Sequence, residues 1–174
     1  MGEDAVMSLR PPFRVGHGFD VHRFSDDASR PLVLGGVTFA GERGLVGHSD
    51  ADPVAHAICD AVLGAVGLGD IGTYFPDTDA RWKDADSMTF VEESVKLAKE
   101  NGYDITSIDV TVVCERPKLA QHREAIERKL SVACLAPVNI KAKRAEGLGA
   151  IGRVEGIAVF AVAMALRHDP PVNW

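Results

Sequence analysis

The apolar run from Arg14 to Phe24 reads as a β-strand interrupted by Gly16 and Gly18. Two glycines within a strand let another backbone or a ligand approach closely. Pro31 to Phe39 is a second apolar run, broken by Gly35-Gly36, and Gly41 to Asp50 reads as a loop. Asp52-Pro53 then signals a helix start, an N-cap acceptor followed by proline at the first helical position. From there to about Gly67, Val54, Ile58, Ala61, Val62, Ala65 and Val66 recur with the helical period. His56 and Asp60 share one face of this helix, off the apolar stripe. Gly67 to Asp86 is turn-rich. A second helix is predicted over about Ser87 to Asn101, with a Glu92–Lys96 pair on it and Gly102 as its stop. The β-branched stretch Ile105 to Cys114 predicts a strand, Pro117 breaks it, and a third helix is expected from about Leu119 to Ala133. Val138 to Ala142 alternates as a strand, and Glu146 to Gly152 is a glycine-rich loop. Ile157 to Leu166 fits a core helix or a buried strand; Val159, Phe160 and Val162 favour the strand. The order predicts an α+β domain, a mixed sheet covered by helices on one face.

At 174 residues, 46% hydrophobic and 25% charged, one globular domain is expected over residues 13–174, behind a loose leader over residues 1–12 that lacks an apolar h-region. The net charge of −6 is unevenly placed: residues 1–86 hold 7 basic and 14 acidic side chains, residues 87–174 hold 12 and 11. Of 15 Asp residues, 11 lie between Asp20 and Asp86, so the acidity is local. An acidic chain without a Lys/Arg run is a poor fit to nucleic acid or to an anionic membrane surface. Ile157 to Leu166 is too short to span a bilayer. Cys59, Cys114 and Cys134 are odd in number and form no C-x-x-C, which argues against a disulfide framework or a thiolate zinc site. A soluble protein of the reducing cytoplasm is the expectation.

The candidate chemistry sits in the acidic half. Four of the six histidines fall between His17 and His56. Asp20 and His22 are two apart on the first strand and so point to one side of it. With one further ligand they suit a catalytic zinc, which takes three protein ligands and leaves a position open. That ligand is His56 on the helix or His48 in the preceding loop; a helix holds its ligand more rigidly, which favours His56. His48-Ser49, just before a helix N-terminus, can donate to an anion. Gly69-Asp70-Ile71-Gly72 and Phe75-Pro76-Asp77-Thr78-Asp79 place carboxylates that fit a polyol or a divalent ion, and are equally ordinary turn formers. Pro117-Lys118 presents free backbone amides. Lys141, Lys143 and Arg144 form a basic group suited to phosphate, with Glu146 as an oxygen ligand for a hard cation such as Mg²⁺.

Arg14-Val15-Gly16-His17-Gly18-Phe19-Asp20-Val21-His22, then His48-Ser49-Asp50-Ala51-Asp52 with His56 and Asp60, then Leu68-Gly69-Asp70-Ile71-Gly72 and Phe75 to Asp79, occur in that order. Over Arg14 to Leu166 the chain resembles the 2-C-methyl-D-erythritol 2,4-cyclodiphosphate synthase family of the non-mevalonate isoprenoid pathway. The resemblance implies a mixed four-stranded sheet with a small hairpin, in a homotrimer that packs its sheets around a three-fold axis and places active sites between subunits. It implies one zinc per subunit on Asp20, His22 and His56, and Mg²⁺ or Mn²⁺ on Glu146 bridging the diphosphate. His48 and Ser49 would contact the substrate phosphates, His48 as a catalytic residue. Asp70, Ile71, Gly72, Phe75, Pro76, Asp77, Thr78 and Asp79 would line the methylerythritol pocket. Cys114, Glu115, Arg116, Pro117, Lys118, Leu119 and Ala120 would hold cytidine, largely through backbone groups. Ala142, Lys143, Ala145, Ala150 and Arg153 complete the implied substrate-binding set, and Arg153 and Glu155 match positions that line the trimer axis. Position 144 departs from the family, whose members usually carry there a threonine thought to stabilise the transition state. Arg144 also donates to phosphate, but its bulk would crowd the cytidine diphosphate.

The reaction so implied starts from 4-diphosphocytidyl-2-C-methyl-D-erythritol 2-phosphate. Its 2-phosphate attacks the β-phosphorus, CMP leaves, and a cyclic diphosphate forms. No protein nucleophile is needed, in keeping with the lack of a Ser-His-Asp arrangement. A zinc-dependent phosphate-ester hydrolase and a non-catalytic trimeric ligand-binding protein are the rival classes; a cyclic product excludes the first and CMP release the second.

Overall fold

The computed structural model describes residues 12–168, so the expected leader, save Pro12, and the last six residues lie outside the described residues. β1 (Phe13–Arg23) turns its even positions inward and its odd positions outward. Its two glycines are needed because α1 (Pro53–Val66) lies directly across them. A Cβ on Gly16 or Gly18 would stand 1.9 Å from the carbonyl oxygen of Ala61 or Ala57. Strand and helix backbones are therefore in contact, the close approach that glycines in a strand permit.

α1 starts where expected. Asp52 caps it, its Oδ1 accepting from the N–H of Val54 at 3.0 Å and of Ala55 at 3.2 Å, and Gly67 ends it in the left-handed region at φ 77°. Asp52 also accepts from the N–H of Gly35 at 2.9 Å and of Gly36 at 2.6 Å. These two glycines, at φ 58° and 71°, form the two-residue turn between β2 (Leu32–Leu34) and β3 (Val37–Phe39). One buried carboxylate thus ties the hairpin to the helix. Burial pushes Asp52 up, to about 6, against the amides of Gly36, Gly35 and Ala55 that pull it down.

The turn-rich segment contains one short helix, α2 (Ile71–Tyr74), and a 3₁₀ turn over Ala80–Trp82. α3 (Ser87–Glu100) is capped by Asp86, and on it Lys96 pairs with Glu93 at 3.0 Å rather than with Glu92; the i+3 position is the nearer neighbour here. β4 (Tyr103–Val113) leads to a 3₁₀ turn at Leu119–Gln121, and α4 (Arg123–Cys134) begins four residues later than the sequence predicts. Lys118 supplies no capping acceptor, so the chain makes one tight turn first. β5 (Val138–Lys143) follows. The expected glycine-rich loop holds a single helical turn, α5 (Gly149–Gly152), and the last apolar run is a strand, β6 (Gly156–Arg167).

The four-stranded sheet has the order β1-β6-β4-β5, antiparallel but for the β4–β5 pair. Ala161, Ala163 and Ala165 line the inner face of β6, small enough for α1 to settle between strands. α1, α3 and α4 close the core on that face. The outer face of β1 and β6 stays apolar and exposed: Phe13, Val15, Phe19, Val21, Phe160, Val162, Met164 and Leu166. Phe19 lies opposite Phe160 with ring centroids 5.0 Å apart. No helix among the described residues is long and apolar enough to cross a membrane.

Candidate metal centre and its surroundings

The close approach of β1 to α1 brings Asp20 and His22, on the inward face of the strand, against His56, on the side of α1 that the core leaves open. Asp20 Oδ2 lies 2.9 Å from His22 Nε2 and 3.1 Å from His56 Nδ1, and the two nitrogens are 3.3 Å apart. Zinc bonds of about 2.0–2.2 Å in a tetrahedron set donor atoms roughly 3.3–3.5 Å apart. Three donors of two types, near that spacing and half-buried, fit the ion that the sequence predicts. His22 Nδ1 lies 2.6 Å from the Val46 carbonyl, to which it donates, so Nε2 is left to face the centre. Burial by itself would raise the Asp20 carboxyl; the imidazoles of His22 and His56 beside it outweigh this and hold it well below the usual carboxylate range. Burial pulls His22 down, but Asp20 outweighs it, and the imidazole ends raised.

On its far side His56 Nε2 meets two buried hydroxyls, Ser87 Oγ at 2.9 Å and Ser49 Oγ at 3.1 Å. The Ser49 hydroxyl therefore points at the ring, not into solvent. His48 is half-buried, its Nε2 3.3 Å from the Asp79 carbonyl. Asp60, one turn along α1 from His56, accepts from the Ile71 N–H at 2.8 Å and holds the start of α2 beside the centre. Asp70 caps α2 through Thr73, and Asp79 caps the following 3₁₀ turn, so both carboxylates serve turns as well as facing solvent. Phe75 stacks on Phe90 at 4.6 Å and meets Trp82 edge-on at 5.4 Å, and these rings line a cavity of about 400 Å³. Gly72, Asp77 and Thr78 are exposed, and Pro76 is half-buried.

A second cavity, of about 520 Å³, lies between α4 and β5; Leu119, Ala120, Ala142 and Lys143 line it. The adjoining loop carries a cis bond at Arg116-Pro117, with the Cys114 thiol donating to the Pro117 carbonyl at 3.6 Å. Burial pushes up the thiols of all three free cysteines, Cys114 to about 11 and Cys134 to about 12, away from the reactive thiolate form. Arg144 does not line this cavity. Its Nε donates to Glu115 at 2.7 Å, and Glu115 also accepts from the Gly147 N–H at 3.2 Å. Glu146 is exposed, in the left-handed region at φ 53°, and stands outside the Asp20–His22–His56 group. Arg153 donates to Glu155 at 2.6 Å, and Ala150 is exposed on α5.

A family model described as the YgbB family matches residues 13–166. The chain belongs to this family. A 2-C-methyl-D-erythritol 2,4-cyclodiphosphate synthase of Trichlorobacter lovleyi is 47% identical over 156 residues, 88% of this chain and 98% of that one. The bifunctional enzyme IspD/IspF of Erythrobacter litoralis is 46% identical over 172 residues, 97% of this chain and 44% of the longer protein. The chain thus spans less than half of the one relative and nearly all of the other. Among solved structures, the CDP complex of IspF from Plasmodium falciparum superposes with a TM-score of 0.79 at 31% identity, covering 92% of this chain and 99% of that one.

Two groups outside the set predicted from the sequence hold a histidine of the centre, Ser87 and the Val46 carbonyl, and they leave unequal marks in the sequence of this YgbB-family chain. The Val46 contact left no trace, because a carbonyl acts without regard to its side chain. Ser87 did leave one. Asp86-Ser87 places two cap-type residues together at a helix start where one suffices.

Proposed function

We propose that the chain catalyses the closure of 4-diphosphocytidyl-2-C-methyl-D-erythritol 2-phosphate to 2-C-methyl-D-erythritol 2,4-cyclodiphosphate with release of CMP. It acts as a 2-C-methyl-D-erythritol 2,4-cyclodiphosphate synthase, a phosphorus–oxygen lyase of isoprenoid precursor biosynthesis. The observation that carries this reading is the convergence of Asp20, His22 and His56 within a YgbB-family fold. An oxygen of the 2-phosphate forms a bond to the β-phosphorus, and the bond from that phosphorus to the bridging oxygen breaks, so CMP leaves with that oxygen. Zinc at the centre, with Mg²⁺ or Mn²⁺ at Glu146, supplies charge neutralisation for the phosphates when bound. The protein's own task is to fold a flexible polyanion until its two ends meet. His48 approaches the phosphates from the loop ahead of α1, and the Ser49 hydroxyl, turned towards the His56 ring, reaches them by rotating about its Cα–Cβ bond. The Asp70–Gly72 and Phe75–Asp79 segments take the methylerythritol, and the cavity beside α4 and β5 takes the cytidine. The pairing of Arg144 with Glu115 keeps its bulk out of that cavity and leaves the outer edge of the guanidinium for phosphate.

Three copies of the chain pack their outer sheet faces together, which covers the apolar surface from Phe13 to Leu166, and each site forms between neighbours. The chain works in the cytoplasm. The test is mass spectrometry of products from the diphosphocytidyl substrate with Zn²⁺ and Mg²⁺ present. A cyclic diphosphate and equimolar CMP are expected. Asp20→Ala should abolish turnover in a folded protein, a loss of at least about a thousandfold for removal of a metal ligand at the reacting phosphate. Full CMP release by that variant would overturn the metal assignment, and a ring-opened product would overturn the cyclase reading.

A further inference from the structure

Ser87 is the first residue of α3 and is fully buried. Its Oγ lies 2.9 Å from His56 Nε2 and 2.5 Å from Asp50 Oδ1. Asp50 Oδ2 accepts from the N–H of Ser87 at 3.2 Å, so the carboxylate grips the serine by both main chain and side chain. A hydroxyl has one proton and two lone pairs, and an ionised carboxylate can only accept. A contact of 2.5 Å to a carboxylate is a short charge-assisted hydrogen bond, which commits the Ser87 proton to Asp50. Towards His56, Ser87 Oγ is then left only as an acceptor, so the ring proton belongs on Nε2 and the Nδ1 lone pair faces Asp20 and His22. Ser49 is compatible with this assignment. It accepts from the Ala51 N–H at 3.3 Å and can give its own proton to the second lone pair of Ser87 Oγ, 3.1 Å away.

We infer that Ser87 and Asp50 are positioning residues of the metal centre: the Asp50–Ser87 pair fixes which nitrogen of His56 is protonated and holds the ring with Nδ1 towards the ion. The inference rests on the reading of Asp20, His22 and His56 as that centre. A second contact of this kind on the far nitrogen of a metal-bound histidine fixes its orientation and raises its basicity, and its removal weakens metal binding about 10–100-fold.

The experiment measures the Zn²⁺ dissociation constant of the full chain by competition with a chromophoric chelator, together with the His56 Nε2 proton signal in zinc-loaded, ¹⁵N-histidine-labelled protein. In the unmodified chain that proton should be visible and protected from solvent. Ser87→Ala should lose its protection and bind Zn²⁺ about 10–100-fold more weakly, and Ser87→Thr, which keeps a hydroxyl, should restore both. If Ser87→Ala does not fold, Asp50→Asn carries the test. The amide there can donate to Ser87 Oγ, which frees the serine proton to oppose the Nε2–H, and zinc affinity should fall with the Nε2 proton signal displaced. Variants at both positions that fold and bind Zn²⁺ within about twofold of the unmodified chain would overturn the inference while leaving the metal centre intact. If the unmodified chain binds no stoichiometric Zn²⁺, or Asp20→Ala binds it equally well, the centre itself is refuted and the inference with it.

Discussion

At the scale of single residues, the metal-free pairing of Asp20 and the metal ligation proposed for it pull against each other across pH. Without an ion it sits between two imidazoles, its own pKa held down and that of His22 raised. A carboxyl whose folded value lies below its unfolded value stabilises the fold above about pH 4 and loses that contribution as pH falls through the folded value. An imidazole whose folded value is raised stabilises fully below about pH 6.5 and loses its contribution as pH rises through the folded value. The metal-free cluster therefore contributes most between about pH 4 and 6.5. Metal binding runs the other way, because the imidazoles must be neutral to ligate. Melting temperatures of chelator-treated protein should thus ease downward from pH 6 to 8, while the increment from added Zn²⁺ grows over the same range. An increment that does not change with pH would contradict ligation by His22 and His56.

At the scale of elements, the site depends on how near one strand comes to one helix. Gly16 and Gly18 have no Cβ to hold β1 away from the carbonyls of α1, and Asp20 and His22 continue the same inward face. Gly18→Ala forces the two elements apart, since the obstacle is the Ala57 backbone and cannot rotate aside. Overpacking of this kind costs about 1–3 kcal/mol, and more when backbone must move. The variant should lose about 3 kcal/mol in chemical denaturation and also bind Zn²⁺ more weakly, although residue 18 touches no metal ligand. Stability within about 0.5 kcal/mol of the unmodified chain would show that the contact is not needed.

This is also where the sequence was most legible. Glycine inside a strand has few structural uses, and Asp52-Pro53 has one, so the strand, the helix and a close approach to the strand by a backbone or a ligand could be read from residue types, but not that the helix is what approaches. Asp20 and His22 followed from the strand period; His56 over His48 rested on the rigidity of a helix and on the family resemblance. The late start of α4 was hidden because it turns on a cap that Lys118 fails to provide, and an absent interaction leaves no motif. Ser87 was legible only as a surplus cap-type residue beside Asp86, and that mark does not say which group its hydroxyl meets.

At the scale of the whole molecule, two surfaces await partners. One is acidic: residues 1–86 hold 14 acidic against 7 basic side chains, and the same half of the chain carries Asp20, His22 and His56 of the candidate metal centre. An anionic substrate tolerates such a surface only where bound cations invert the local charge. The other is the apolar outer face of β1 and β6, where Phe13, Val15, Phe19 and Val21 stand beside Phe160, Val162, Met164 and Leu166. Contiguous exposed apolar faces of this kind mark interaction surfaces. The proposed trimer covers it and sets the acidic half of one chain against the Lys118 and Arg144 region of the next. Phe19→Asp tests both statements together. Phe19 is 46% exposed and points away from the core, so the single chain should still fold and still hold Zn²⁺ on its own Asp20, His22 and His56. A carboxylate buried in the middle of the packed faces has no counter-charge there, and its desolvation opposes assembly. Sedimentation should therefore place the unmodified protein at three times the 18.6 kDa chain mass and Phe19→Asp at one. CMP release should vanish with the trimer, because each site would lack the neighbour's nucleotide-binding half. A Phe19→Asp monomer with full turnover would place the whole site within one chain, and a Phe19→Asp trimer would mean that this face is not the one that associates.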